Sequence, residues 1–115
     1  MLLQFKKSKI HRATITEANV NYMGSIAIDE TLLEAAQLYE GERVQVLNIN
    51  NGERLETYVI KAERGSGQIS INGAAAHKAK PGDKVIIISY AFMTLEEKEN
   101  FESINVFPDD ENKIF

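Results

Sequence analysis

The sequence predicts a mainly β protein, a small barrel of at least six short strands with short helices. Three observations carry that reading. Short runs of β-branched and aliphatic residues recur along the chain, and Gly-, Pro- or Asn-containing turns separate them. Only one stretch shows a substantial helical stripe, whereas layered βαβ units would need a helix between successive strands. With 115 residues, 43% hydrophobic and 26% charged, the chain makes one domain spanning residues 1–115. A core of that size needs neither metal nor disulfide staples.

Taken in order, Ile10 to Thr16 is the first run, its alternation blurred by His11 and Arg12, and Ser25 to Ile28 is the second. A helix begins at Asp29 or Thr31. Thr31 and Glu34 have capping-box spacing, Leu32, Ala35, Ala36 and Tyr39 share an apolar face, and Gly41 is expected to end it. Val44 to Ile49 and Arg54 to Ile60 flank Asn50-Asn51-Gly52, the clearest hairpin, because Asn-Gly favours the positive φ angles of a tight turn. Arg64-Gly65-Ser66-Gly67 turns into the short strand Gln68 to Ile71. Asn72-Gly73 breaks that strand, and Ala74 to Ala76 allow a single helical turn. Lys80-Pro81-Gly82-Asp83 leads into the most apolar strand, Val85 to Ala91. Thr94 and Glu97 repeat the capping-box spacing before a short acidic helix to Phe101. Ile104 to Phe107 is a last strand, and the charged residues 108–115 are expected to fray.

Composition narrows the chemistry. No cysteine is present, which excludes disulfides, thiolate metal sites and cysteine nucleophiles. No apolar run approaches the roughly 20 residues of a membrane helix, and Gln4, Lys6, Lys7, Ser8 and Lys9 make a polar start. A soluble, cytoplasmic protein without a membrane partner is expected. Net charge is −4, and from Glu96 onward seven acids face only Lys98 and Lys113. The near-neutral remainder carries one small basic cluster, Lys6, Lys7, Lys9, His11 and Arg12, too small for a nucleic-acid footprint. That cluster can hold a small anion, or can be a solvated strand edge that resists pairing. His11 and His77 lack metal-ligand spacing, so no metal is expected, and no Walker loop or serine-hydrolase elbow occurs.

Gly24-Ser25 offers chemistry of a different kind. Glycine permits strained backbone conformations, and in such a bend the Ser25 hydroxyl can attack the carbonyl carbon of Gly24. The peptide becomes an ester and the amine is freed. Donors to the carbonyl oxygen then stabilise the tetrahedral intermediate by about 3 kcal/mol each. On the dipeptide alone, an ordinary loop is the simpler reading.

The rest of the chain changes that balance. Lys9-Ile10-His11-Arg12-Ala13-Thr14, Tyr22-Met23-Gly24-Ser25, Arg54-x-x-Thr57-Tyr58 and Glu63-Arg64-Gly65-Ser66-Gly67 occur in that order. Asn72-Gly73-Ala74-Ala75-Ala76-His77 and Pro81-Gly82-Asp83 follow. From about Lys7 to Ala91 the chain resembles the small bacterial aspartate 1-decarboxylases, while the segment from Met93 adds nothing to the likeness. The resemblance implies a six-stranded double-psi β-barrel, a homotetramer with active sites between subunits, and a proenzyme that cuts itself between Gly24 and Ser25. Chains 1–24 and 25–115 would result. The Ser25 ester would break by β-elimination, and hydrolysis of the dehydroalanine would leave a covalent pyruvoyl group. Its ketone would condense with the amino group of L-aspartate and accept the electrons released with CO2, giving β-alanine for pantothenate synthesis.

Residue roles follow from the same likeness. Ser25 is nucleophile and pyruvoyl source, and Thr57 assists cleavage by donating to the Gly24 carbonyl. Tyr58 returns a proton to the decarboxylated carbon, since a phenol stays protonated at neutral pH. Arg54 and Lys9 suit the two carboxylates of aspartate, and which cation takes which stays open. Thr57, Asn72, Gly73, Ala74 and Ala75 line the substrate and pyruvoyl site, where small side chains let a ligand reach main-chain N–H groups. His11 and Tyr22 belong nearby, and His77 is structural. A regular strand points Thr57 and Tyr58 to opposite faces, so both reaching one site requires a bulge, or Thr57 acting on a different surface. The residues leave open whether a helper protein takes part in maturation. Two other readings compete: a non-enzymatic barrel binding an anionic partner, and a pyruvoyl decarboxylase of another amino acid.

Overall fold

The computed structural model describes residues 1–114. Eight strands form one hydrogen-bonded sheet: β1 (Leu3–Thr14), β2 (Glu17–Asn19), β3 (Ser25–Asp29), β4 (Arg43–Asn48), β5 (Arg54–Ala62), β6 (Ile69–Asn72), β7 (Lys84–Met93) and β8 (Ile104–Val106). Their order across the sheet is β2-β6-β3-β5-β4-β7-β1-β8. Setting aside the three-residue strands β2 and β8 leaves six, each overlapping an expected run, although β1 begins at Leu3 rather than Ile10 and ends at Thr14. The sheet curls into a small barrel whose hydrogen-bonded ladder does not close. Thr16 extends the β2–β6 pairing by one residue: its amide donates to the Ile69 carbonyl at 2.8 Å, and its hydroxyl accepts from the Ile69 amide at 3.0 Å.

Burial explains the pattern. In β4 and β7, Val44, Val46, Val85 and Ile87 alternate inward, with Gln45, Leu47, Ile86 and Ile88 on the outward face. All five residues of β3 are buried, which is why Ser25 to Ile28 reads as an uninterrupted run. Ile10, Ile15, Ile26, Ile28, Ile69 and Ile71 fill the interior, each burial worth about 1.5–3 kcal/mol. The helix α1 (Glu30–Ala36) lays Leu32, Leu33 and Ala36 on this core. Its cap is Asp29, whose carboxylate accepts from the Thr31 amide at 2.8 Å. A 3-10 helix covers Gly73–His77, and α2 (Leu95–Glu99) starts with the capping box formed by Thr94 and Glu97.

Four expectations are corrected. Gln37, with φ 53°, ends α1 in place of Gly41. Strand β2 was absent from the sequence pattern because its pairing partner β6 creates it. Strand β1 is flanked by β8 only at Ser8–Ile10, and its Lys7 is paired with Glu42, so the basic cluster is only in part a solvated edge. The tail does not fray at residues 109–113. Asn112, 2% exposed, accepts from the Thr14 amide and donates to the carbonyls of Thr14 and Gly67, all at 2.8 Å. Among the described residues, no helix is long and apolar enough to cross a membrane.

Candidate active site

Ser25 opens β3 and is 1% exposed. Antiparallel pairing sets it opposite Asn72, the last residue of β6. The Asn72 amide donates to the Ser25 hydroxyl at 3.0 Å, and that hydroxyl donates to the Met23 carbonyl at 3.4 Å. The Ser25 hydroxyl is thereby held within the turn that carries its own preceding peptide. The strained backbone expected at Gly24 is not there: its φ is not positive, and a Cβ would meet nothing within 4 Å. The left-handed glycine of this region is Gly73, with φ 75°.

On its other side β3 pairs in parallel with β5, Ile26 opposite Val59. Continued back by two residues, that register sets Ser25 level with Tyr58 and Gly24 level with Thr57. Strand β5 alternates without a bulge across its β4 partner: Leu55 and Val59 are buried, and Arg54, Glu56 and Tyr58 are exposed. Tyr58 therefore shares the sheet face of Ser25, while Thr57 lies on the opposite face of β5. Among the described residues, Thr57 forms no hydrogen bond to the Gly24 carbonyl. A groove of about 380 Å³ runs along the Ser25 face, lined by Tyr22, Ala27, Ile60, Ser70 and Asn72. A larger groove of about 670 Å³, with Arg43, Glu56, Tyr90 and Phe92 in its walls, lies on the outward face of β4 and β7 and does not reach Ser25.

The two expected carboxylate-binding cations stand apart from this centre. Lys9 is opposite Ile88, which continues through Gln45 to Glu56, and three strands separate β1 from β3. Arg54 is four residues along β5 from Tyr58, about 13 Å away at the usual strand rise. Among the described residues neither forms an ion pair, whereas Lys7, Arg43, Lys61, Arg64, Lys78 and Lys84 each do. His11 lies on β1 with Lys9, its ring edge-on to Phe107 at 5.8 Å, and its buried Nδ1 has no partner among the described residues. Burial, then the charges of Lys9 and Arg12, hold its pKa below the ordinary 6.5. Arg12 has φ 64°, a left-handed conformation costly for a residue with a side chain, at the register shift between Ile10 and Ala13. Ala74 and Ala75 follow Gly73 in the 3-10 helix. No cluster among the described residues is built to hold a metal.

Fold and site thus define a small β-barrel protein in which a buried serine, directly after a glycine, is held at a strand end by an asparagine amide. The family model for aspartate decarboxylase matches residues 1–115, and the chain belongs to that family. It is 62% identical to the aspartate 1-decarboxylase of Caldicellulosiruptor bescii, over 99% of this chain and 89% of that protein. It is 63% identical to the aspartate 1-decarboxylase of Caldicellulosiruptor saccharolyticus over the same shares. The aspartate 1-decarboxylase of Parabacteroides distasonis is 60% identical over 95% of this chain and 94% of its own. The match includes the segment from Met93 onward, which sequence motifs had left outside the likeness.

Proposed function

We propose that the chain cleaves itself at Gly24–Ser25, converts Ser25 to a pyruvoyl group, and decarboxylates L-aspartate to β-alanine and CO2 in the cytoplasm for pantothenate synthesis. One observation carries this reading: in a chain of this family, the Ser25 hydroxyl is buried and held by Asn72 beside the peptide it must attack. The Ser25 oxygen adds to the Gly24 carbonyl carbon, the C–N bond breaks, and its proton passes to the departing amine. Thr57, level with Gly24, is the group assigned to donate to the carbonyl oxygen as charge develops there.

The surroundings fit a pyruvoyl group: a closed, neutral position, an amide donor from Asn72, and the small residues Gly73, Ala74 and Ala75 next in the chain. When present, that group supplies the carbonyls that take up the electron pair left by departing CO2. Tyr58, on the Ser25 face, is the proton donor to the substrate carbon. Lys9 and Arg54 bind the carboxylates, and their separation from Ser25 within one chain favours sites completed between subunits of a homotetramer. The outward sheet face supports that assembly. Leu47, Ile86 and Ile88 are only half-buried there, Phe92 is 67% exposed, and Lys9 and Arg54 flank them.

Intact-mass measurement of protein held under native conditions tests the reading. Two chains, 1–24 and 25–115, are expected, the larger lighter by one ammonia than its serine-terminated form, together with CO2 release from aspartate ahead of other amino acids. An uncut chain that releases no CO2 overturns it. A cut chain preferring another amino acid keeps the cleavage and changes the substrate.

A further inference from the structure

We infer that Gly73 is a positioning residue for self-cleavage, because its missing side chain is what lets the scissile peptide lie beside the Ser25 hydroxyl. The inference rests on the reading that Gly24–Ser25 is the bond that breaks. A Cβ at Gly73 would stand 2.7 Å from Gly24 Cα, 2.9 Å from Gly24 N and 3.2 Å from the Tyr22 carbonyl oxygen. All three are backbone atoms, so none can rotate away, and the whole 22–24 turn would have to move. The adjacent Asn72 holds the attacking oxygen from the other side. Residues 72 and 73 thus fix both reaction partners: one grips the nucleophile by its amide, and the other supports the carbonyl-bearing residue by having no side chain. Displacements of the ångström scale at a reacting centre cost on the order of a hundredfold in rate. Gly24 itself has open space around its Cβ position, so the steric demand for glycine falls at the residue that is not cut.

Three variants separate this role from ordinary glycine strain. Gly73→Ala adds both the Cβ and a left-handed alanine, whereas Gly73→Asn adds the Cβ with a residue that tolerates positive φ. Gly41→Ala is the control for strain alone, since Gly41 has φ 88° and nothing within 4 Å of its Cβ position. Appearance of the 25–115 chain is timed by intact mass, and cooperative thermal melting reports the fold. Gly41→Ala is expected to cleave within about twofold of the parent chain. Both Gly73 variants are expected to melt cooperatively and cleave at least about tenfold more slowly. Cleavage by either Gly73 variant at the Gly41→Ala rate overturns the inference. So does loss of the melt in both, which would make Gly73 a folding contact. A parent chain that never cleaves overturns the self-cleavage reading instead.

Discussion

Around Ser25 the polar groups are buried and mutually bonded, with Asn72, Ser25 and Met23 in one short relay at 3.0 and 3.4 Å. On the outward face of β5, β4, β7 and β1, Arg43 pairs with Glu56 and Tyr90 with Gln45, but Lys9 and Arg54 carry no ion pair among the described residues, and large aliphatics stand half-buried between them. The Ser25 hydroxyl has its partners within one chain, whereas Lys9 and Arg54 have no ion-pair partner among the described residues. On the proposed reading, covalent maturation draws on groups of one chain, while substrate capture draws on a second surface. A dicarboxylate and its cations share a strongly favourable contact only where both carboxylates are reached. Along the hydrogen-bonded sheet, β5, β4 and β7 lie between β1 and β3.

The largest effect that can break the contrast is at Ser25, the proposed nucleophile. Ser25→Ala should remain a single 12.9 kDa chain with no detectable CO2 release, although its fold persists, because alanine fits the buried position. Two fragments from that variant, seen on a denaturing gel, would move the cut elsewhere. A smaller effect sharpens the other side. Arg54→Ala removes a charge-assisted grip worth about 1.5–3 kcal/mol, so KM for aspartate should rise roughly 10- to 100-fold. The cleavage rate should stay at the parent value, because Arg54 is remote from Gly24. Slowed cleavage in Arg54→Ala would show that the two regions are coupled.

What the sequence discloses divides along a similar line, between local and long-range causes. The Asn50-Asn51-Gly52 hairpin and the Thr94–Glu97 capping box are written within a few residues, and both form where the pattern puts them. The end of α1 was misplaced because Gln37 turns left-handed to bury Leu38, and packing decides that rather than a nearby glycine. Glu17 to Asn19 has no strand propensity and becomes β2 only through its pairing with β6. Asn112 looks like any polar tail residue until Thr14, 98 positions away, supplies its partners. In the site, the roles proposed for Ser25, Tyr58, Arg54 and Lys9 rest on residue type and resemblance. The bond from Asn72 to Ser25 spans 47 positions and needs the β3–β6 register, which no local pattern encodes. The steric demand at Gly73 is hidden for the same reason.

The smallest effect lies at the far end of β3, where Asp29 ties the strand to the turn before β6. Its carboxylate accepts from the amides of Thr31 at 2.8 Å, Gly65 at 2.9 Å and Gly67 at 2.8 Å. Burial pushes its pKa up, the Gly67, Gly65 and Thr31 amides push it down, and the amides prevail, so it lies below the ordinary 3.8. Asp29→Asn keeps the helix cap, since asparagine caps as well as aspartate, but its amide nitrogen cannot accept from Gly67. One buried N–H then faces a donor, at a cost of about 1–3 kcal/mol. Because the folded pKa is depressed, the carboxylate's contribution is fully present above the unfolded value near 3.8 and is lost as pH falls through the folded value. Urea midpoints should therefore differ most between parent and variant at neutral pH and converge as pH drops below about 3.8. A gap that stays constant with pH would mean that the turn is held by packing rather than by the charged carboxylate. Cleavage at Gly24–Ser25 should be nearly unchanged at neutral pH, since four residues of β3, hydrogen-bonded on both sides, separate this clamp from the scissile bond.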